Sequence, residues 1–566
     1  MSSFENKEGF KKIKKQLRNL FPGIWTYSVR LAWEARVILP FLEPTIFKQL
    51  RAISASFKEH KYKAGFGGKK RFLFFQTRSN PPHLSWAGTM ALALKAQGHD
   101  ALFLGCSREL RGSCNNANHP DGLANSTCRV CYIYTRRFFG LSNISHRWIG
   151  DYRRSYDRKK AEALVNSVGP AGYGDFRYRE LPLGKLVRHS VAHYLRTGSV
   201  YNDPLSQEVY RNYLINSIII ADTCLALVEE YKPDTVLMLC GLFMPERVMM
   251  EVARQKGIRV VTYEIAMLAQ DALMMQHDRP IDYDDKVNWE KYKTIPLTVD
   301  EENKLDNYLF ERSQGRLSVV NYWPEKEDNE EKIRVQLNLD SRKKITVLFP
   351  NITWDSALFE KDIAFNGMFD WLDMTIEYFS AHPEYQLVIR AHPAEVILPG
   401  SLRESVISYI RGKHPKLASN IILVPPESKI SSYTLMDISC CALSYASTTA
   451  IELGVRGVPT LVAGEVHFRG KGFTIDIVDK NSYLTSLNDV INGSSPISKK
   501  EIIMMAKRYA YFSFFRISMP FNKIHCGAGD QPVFTYEDAT ELLPGKDKSL
   551  DIICKGIITG SPFIFE

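Results

Sequence analysis

The stretch RAHPAE, residues 390–395, sets an imidazole directly after an apolar run and directly before a proline. The residue before a proline is held in an extended backbone, so His392 cannot continue into a helix. It therefore stands out at the end of the preceding strand, where it could donate to a diphosphate or protonate a leaving phosphate oxygen. Arg390 lies beside it. The alternative is a structural histidine in a bend after a buried strand. A second stretch, CALSYASTTAIELGVRGVP, runs from an apolar strand straight into a helix, with Ser447, Thr448 and Thr449 at the turn. Hydroxyls and unbonded amides at a helix start attract anions, and the helix dipole adds to that attraction. Glu452 comes about one turn later, within reach of sugar hydroxyls, unless Ser447 merely caps the helix. The loop GEVHFRGKGFTIDI, 464–477, adds Arg469 and Lys471 on a Gly-rich, flexible segment.

Other candidates are more isolated. Glu264 ends the strand IRVVTYE, 258–264, where a carboxylate could deprotonate a hydroxyl, or serve only as a salt-bridge partner or helix cap. His277 and His83 are alternative bases. Cys106, Cys114, Cys128 and Cys131, the last two spaced C-x-x-C, could hold a structural zinc or form a redox-sensitive pair. The first pair is spaced too widely for an ordinary knuckle, so plain cysteines are the alternative. No other metal site is expected, and DYDD, 282–285, reads as the start of a solvated linker.

Positioning these groups requires strands whose ends meet. RFLFFQ (71–76), the helix over WAGTMALALKAQG and a strand from Ala101 form a strand–helix–strand unit, which implies a parallel sheet. DTVLMLC (234–240), a helix over 245–257 with Pro at its start and Gly at its end, and IRVVTYE continue that sheet. Residues 110–200 read as irregular. Alternation resumes with ITVLFP (345–350), YQLVIR (385–390), IILVPP (421–426), CALSY (441–445) and PTLVAG (459–464). The fold class is thus α/β, with two Rossmann-like domains facing a cleft. The expected division is a basic helical extension over 1–68, a first domain over 69–285 and a linker over 286–340. A second domain over 341–545 and a tail over 546–566 complete it.

A chain of 566 residues with 45% hydrophobic and 24% charged residues is ordinary globular material, too long for one core. No unbroken apolar run has the ~20 residues of a membrane span, and no secretory signal is evident. The net charge is +10, with basic residues densest near the N-terminus. In KEGFKKIKKQLRNLFPGIW, 7–25, Phe10, Ile13, Leu17 and Leu20 recur at helical spacing among lysines. That pattern suits a helix lying on an anionic membrane surface, or a solvated helix on its own protein. No nucleic-acid partner is expected. Cysteines inside apolar runs (Cys224, Cys240, Cys440, Cys441) read as buried thiols of a reducing cytoplasm.

Taken in order, RAHPAE, SYASTTAIELGVRGVPTLV and GEVHFRGKGFTIDI resemble the C-terminal domain of capsular-polysaccharide biosynthesis proteins. These are GT-B type glycosyltransferases related in outline to Kdo and sialic acid transferases and to teichoic-acid glycerophosphotransferases. The resemblance covers about 340–480, with a looser match around 86–106 and 257–280. It implies transfer of a sugar from a nucleotide-sugar donor to a growing polysaccharide or lipid-linked acceptor. Carried over by position, it implies that His392 contacts the donor phosphate, that Ser447 and Thr448 cradle phosphate and that Glu452 holds the ribose. Arg390, Thr449 and Lys471 are expected beside them from their own places at the strand end, the helix start and the basic loop. For the base, the strand-end position makes Glu264 the leading candidate, with His277 and His83 as alternatives. No cofactor or metal would be needed, since helix dipole and basic side chains neutralise the leaving group. The work would be done in the cytoplasm, at the inner membrane face. The last motif departs from Kdo-type members, so CMP-, UDP- and GDP-linked donors all remain open. A nucleotide-sugar 2-epimerase shares this architecture, and a non-catalytic assembly or export protein is a third reading.

Overall fold

The computed structural model describes residues 43–57, 68–78, 80–114, 124–198, 202–267, 272–315, 325–355, 358–397, 405–525 and 532–566. The basic stretch over 7–25 lies outside them.

Two parallel sheets organise the chain. The first contains β1 (Arg71–Phe75), β2 (Asp100–Gly105), β3 (Ser145–Trp148), β4 (Thr235–Leu239), β5 (Arg259–Ile265) and β6 (Ala272–His277). Their order is β6-β5-β4-β1-β2-β3, all parallel except β6, which runs antiparallel to β5. The second contains β7 (Lys344–Phe349), β8 (Tyr385–Arg390), β9 (Ile421–Val424), β10 (Cys441–Ser444), β11 (Thr460–Val462) and β12 (Ile475–Asp476). Its order is β12-β11-β10-β7-β8-β9, parallel throughout. Strands covered by helices on both faces must be apolar on both faces, hence continuous runs such as FLFF and TVLF. In each sheet the strand order reverses at one place, between β1 and β4 and between β7 and β10. Ligands bind outside the carboxyl ends of strands at such switch points. The two domains meet there across a cavity.

The helix Pro81–Ala96 starts on prolines and is buried almost all round, sandwiched between the first sheet and later elements. Its small residues permit that: a Cβ on Gly88 would lie 2.6 Å from the Phe138 ring. Among the described residues, Pro204–Tyr231 has the length and hydropathy of a membrane span, but most of it is packed into the first domain.

Several expected boundaries move. Residues 45–56 are no separate extension. They form a helix whose Ile46, Phe47, Leu50 and Ile53 enter the first core. The segment 110–200 read as irregular because its polar and aromatic residues mask a helical period. It contains helices Ala124–Leu141, Arg158–Val168 and Leu183–Leu195, besides β3. The linker over 286–340 is largely helical. The chain also leaves the second domain earlier than 545. After Phe512–Arg516 it crosses back, and β13 (Met519–Pro520) pairs antiparallel with β6. The expected tail over 546–566 is instead a helix, Lys548–Thr559, packed on the first core, with the carbonyl of Ile558 accepting from Lys70 Nζ at 2.6 Å. Chain crossing leaves no period in a sequence, because each segment only needs an apolar face, whichever domain supplies the other.

Candidate active site

The cavity between the domains has a volume of about 760 Å³. The first domain contributes Glu264 and Ile265 from the end of β5, Phe243 and Arg247 after β4, and His189 from a helix. The second contributes Asn351 after β7, His392 after β8, Ser447 and Thr448 after β10, and Glu465 to His467 after β11. A narrower pocket of about 260 Å³ adjoins it. Arg390, Tyr433, Thr449, Glu452 and Arg312 line that pocket, and His392 and Ser447 line both spaces. Thus Glu264, His392, Ser447 and Thr448 come together, while Thr449 and Glu452 face the neighbouring pocket.

His392 is fixed by the turn that comes after β8. Its Nδ1 accepts the Ala394 backbone N–H at 3.1 Å, so the ring proton resides on Nε2. Burial, then the charge of Arg390, pushes its pKa down to about 4. The ring is therefore neutral at physiological pH and carries its proton on Nε2. Glu264 is largely enclosed, and its Oε1 accepts the Ile265 N–H at 2.9 Å. Burial raises its pKa above the ordinary carboxylate value, against the partial opposition of that hydrogen bond and of Arg78. A carboxylate with raised pKa beside a cavity is suited to accept a proton.

The turn after β10 is tied down from both sides. Ser447 N–H donates to Ser444 Oγ at 3.1 Å, and Ala446 N–H to Asn351 Oδ1 at 3.0 Å. Ser447 Oγ accepts from Thr449 Oγ1 at 3.0 Å and from the Thr449 N–H at 3.4 Å, leaving its own O–H to donate. The expected crown of unbonded amides is smaller than the sequence suggests. Ala450 and Ile451 N–H already bond the carbonyls of Ser447 and Thr448, because the helix opens with a tight turn. Glu452 is buried and ion-paired at 3.0 Å with Arg312 Nε, from the helix Val299–Ser313 that joins the domains.

Two expected phosphate contacts are otherwise engaged. Arg390 is buried and donates to the carbonyls of Pro425 at 2.6 Å and Ser428 at 2.9 Å. Its guanidinium closes the loop after β9, and desolvation pushes its pKa down to about 10. Lys471 lines neither space. It is buried in an ion pair with Asp284 at 2.9 Å, which bolts the second domain to the first. That pair also overturns the reading of DYDD as a solvated linker. Of the alternative bases, His277 stacks on Phe563 with Nε2 3.0 Å from the Ser561 carbonyl, in the first core. His83 stacks on Trp86, and burial pushes its pKa down to about 3. Neither lines the cavity. Cys106, Cys114, Cys128 and Cys131 do converge on one small space. Yet among the described residues no Cys, His, Asp and Glu group is arranged to hold a metal, and none of the four is in a disulfide.

Sequence reasoning missed His189, Arg247, Arg312 and Asn351, and gave His467 no role. His189 and Arg312 sit on helices with no strand end to mark them. Asn351 is one residue beyond ITVLFP, and the rule that sites lie beyond strand ends at a switch point could have found it.

No protein-family model matches the chain, and no curated protein sequence does. Solved structures do resemble it in part. Thermosulfurimonas dismutans KpsC, a beta Kdo 2,4 transferase, is 11% identical over 55% of this chain and 87% of its own, with a TM-score of 0.34. A glycosyltransferase of Rickettsia africae is 11% identical over 87% and 100%, with a TM-score of 0.29. The UDP-GlcNAc 2-epimerase of Neisseria meningitidis, bound to UDP-GlcNAc, is 12% identical over 79% and 96%, with a TM-score of 0.25. None of these likenesses assigns a role to a residue of this chain.

Glu395, in the same turn as His392, carries a separate prediction. It is buried, its Oε1 accepts the Val406 N–H at 3.4 Å, and Oε2 has no partner among the described residues. Burial raises its pKa from 4.5 to about 7. Its protonated form thus favours the folded state below pH 4.5, and that advantage is lost as pH rises through 7. The loss amounts to roughly 3 kcal/mol at 1.36 kcal/mol per pKa unit. Urea unfolding at pH 5 and pH 8 should show this slope, and Glu395→Gln should flatten it.

Proposed function

We propose that this protein is a glycosyltransferase of the GT-B type that moves a sugar from a nucleotide-sugar donor to a glycan or lipid-linked acceptor. The observation that carries the reading is one cavity between two domains that Glu264, His392 and Ser447 all line. The pocket lined by Glu452 and Tyr433 suits a nucleoside, with Glu452 accepting from ribose hydroxyls. The donor phosphate then lies at the junction of the two spaces, beside His392 Nε2–H, Ser447 Oγ–H and the Thr448 hydroxyl. These donors can stabilise the departing phosphate without a metal ion. Glu264 takes the proton of the acceptor hydroxyl as its oxygen attacks the anomeric carbon. The bond from that carbon to the phosphate oxygen breaks, and the electron pair leaves with the nucleotide. Arg390 and Lys471 support the site through the loop after β9 and the domain junction, without touching the phosphate. A surface polysaccharide assembled at the cytoplasmic membrane face is the proposed setting.

The test is a panel of CMP-, UDP- and GDP-sugars. One class should raise thermal stability by ~2.7 kcal/mol at a hundred times its dissociation constant. The same class should release nucleotide when a glycan acceptor is added. Interconversion of a nucleotide sugar without acceptor would replace this reading by an epimerase, and stabilisation by none of them would point to a scaffold.

A further inference from the structure

Two buried histidines line the cavity and take no part in the chemistry above, His189 and His467. His189 is held by ring stacking on Phe359 of the opposite domain. His467 is held by hydrogen bonds that reveal its protonation. Its Nδ1 lies 2.7 Å from the Tyr509 phenol oxygen, and the same phenol donates to the His467 carbonyl at 3.0 Å. A carbonyl can only accept, and a phenol has one proton. Both bonds exist together only if the ring supplies the second proton, so Nδ1 is protonated. Nε2 is then a bare lone pair, and it is buried with no partner among the described residues. Burial, with Lys471 and Lys361 nearby, pushes the ring pKa down to about 3, so the imidazole stays neutral and is a poor base.

Such a group awaits a donor. A phosphate ionised at neutral pH cannot fully supply one, and the nucleoside has its own pocket, which His467 does not line. What remains in the large cavity is a polyhydroxylated group. We infer that His467 Nε2 accepts a hydrogen bond from a hydroxyl of the sugar carried by the nucleotide, making it a sugar-recognition residue. The inference rests on the nucleotide-sugar reading above. The Tyr509 phenol is its positioning partner, because it fixes the tautomer.

The experiment titrates the full chain with free CMP, UDP and GDP and with the matching sugar nucleotides. His467→Phe should weaken the sugar nucleotide roughly three- to tenfold, the worth of one neutral hydrogen bond, and leave the free nucleotide unchanged. His467→Gln, which keeps an acceptor, should recover most of the loss. Equal weakening of both ligands, or of neither, overturns the role of His467 while the nucleotide reading stands. Failure of the wild-type chain to bind any of the six overturns both. If the variants fail to fold, ¹⁵N-histidine spectra of the wild-type chain decide. The bare Nε2 signal should move upfield with the sugar nucleotide and not with the free nucleotide. An unmoved signal overturns the inference.

Discussion

Glu264→Gln lowers transfer by two to four orders of magnitude, the usual contribution of a positioned base. The fold should survive, since glutamine keeps the oxygen that accepts the Ile265 N–H. The sign of the stability change separates this role from a structural one. Burial raises the Glu264 pKa, so the fold disfavours its ionised form near neutrality. Removing the charge should then leave the protein as stable or slightly more so at pH 7, whereas a carboxylate retained for an ion pair would be missed. The same shift sets the pH dependence. The base works only when ionised, so wild-type kcat/KM should fall as pH falls through its raised pKa, above the usual range of a glutamate. Initial rates from pH 5 to 8, with denaturant unfolding at pH 7, check both statements. A variant with undiminished turnover would remove Glu264 from the chemistry.

His392→Ala carries the second large effect, a loss of about 10²- to 10³-fold in kcat, comparable to deleting one preorganised donor at a developing anion. The fall should be greater in kcat than in nucleotide affinity, because the phosphate oxygen gains charge as the bond breaks. His392→Gln, which retains an N–H donor, should recover part of the rate. With its pKa pushed down to about 4, His392 adds no limb to the rate profile between pH 5 and 8. If a basic limb near neutrality disappeared in His392→Gln, the residue would be giving a proton as an imidazolium, and the neutral-donor assignment would be wrong.

Much of this site is legible in the residues because it sits at strand ends. Apolar runs at 71–75, 345–349, 385–390 and 441–444 can only be buried strands, and the residues just beyond each run must emerge at the sheet edge. Proline after His392 and the hydroxyls after Ser444 are local signals of that kind. The path from 512 to 566 back to the first core and the burial of residues 45–56 are not local, since the partners lie hundreds of residues away.

The sequence by itself therefore determined two doubly wound domains and placed His392, Ser447 and Glu264 at their facing edges, because strand period and chain punctuation act over a few residues. Only the tertiary structure decided which basic groups remain available to a ligand. Arg390 closes a loop, Lys471 binds Asp284 and Arg312 reaches Glu452, and each of these pairings depends on geometry between distant segments. The protonation states were decided there too. Nε2–H on His392 and a bare Nε2 on His467 are set by one backbone amide and one phenol, whose positions no spacing along the chain reveals.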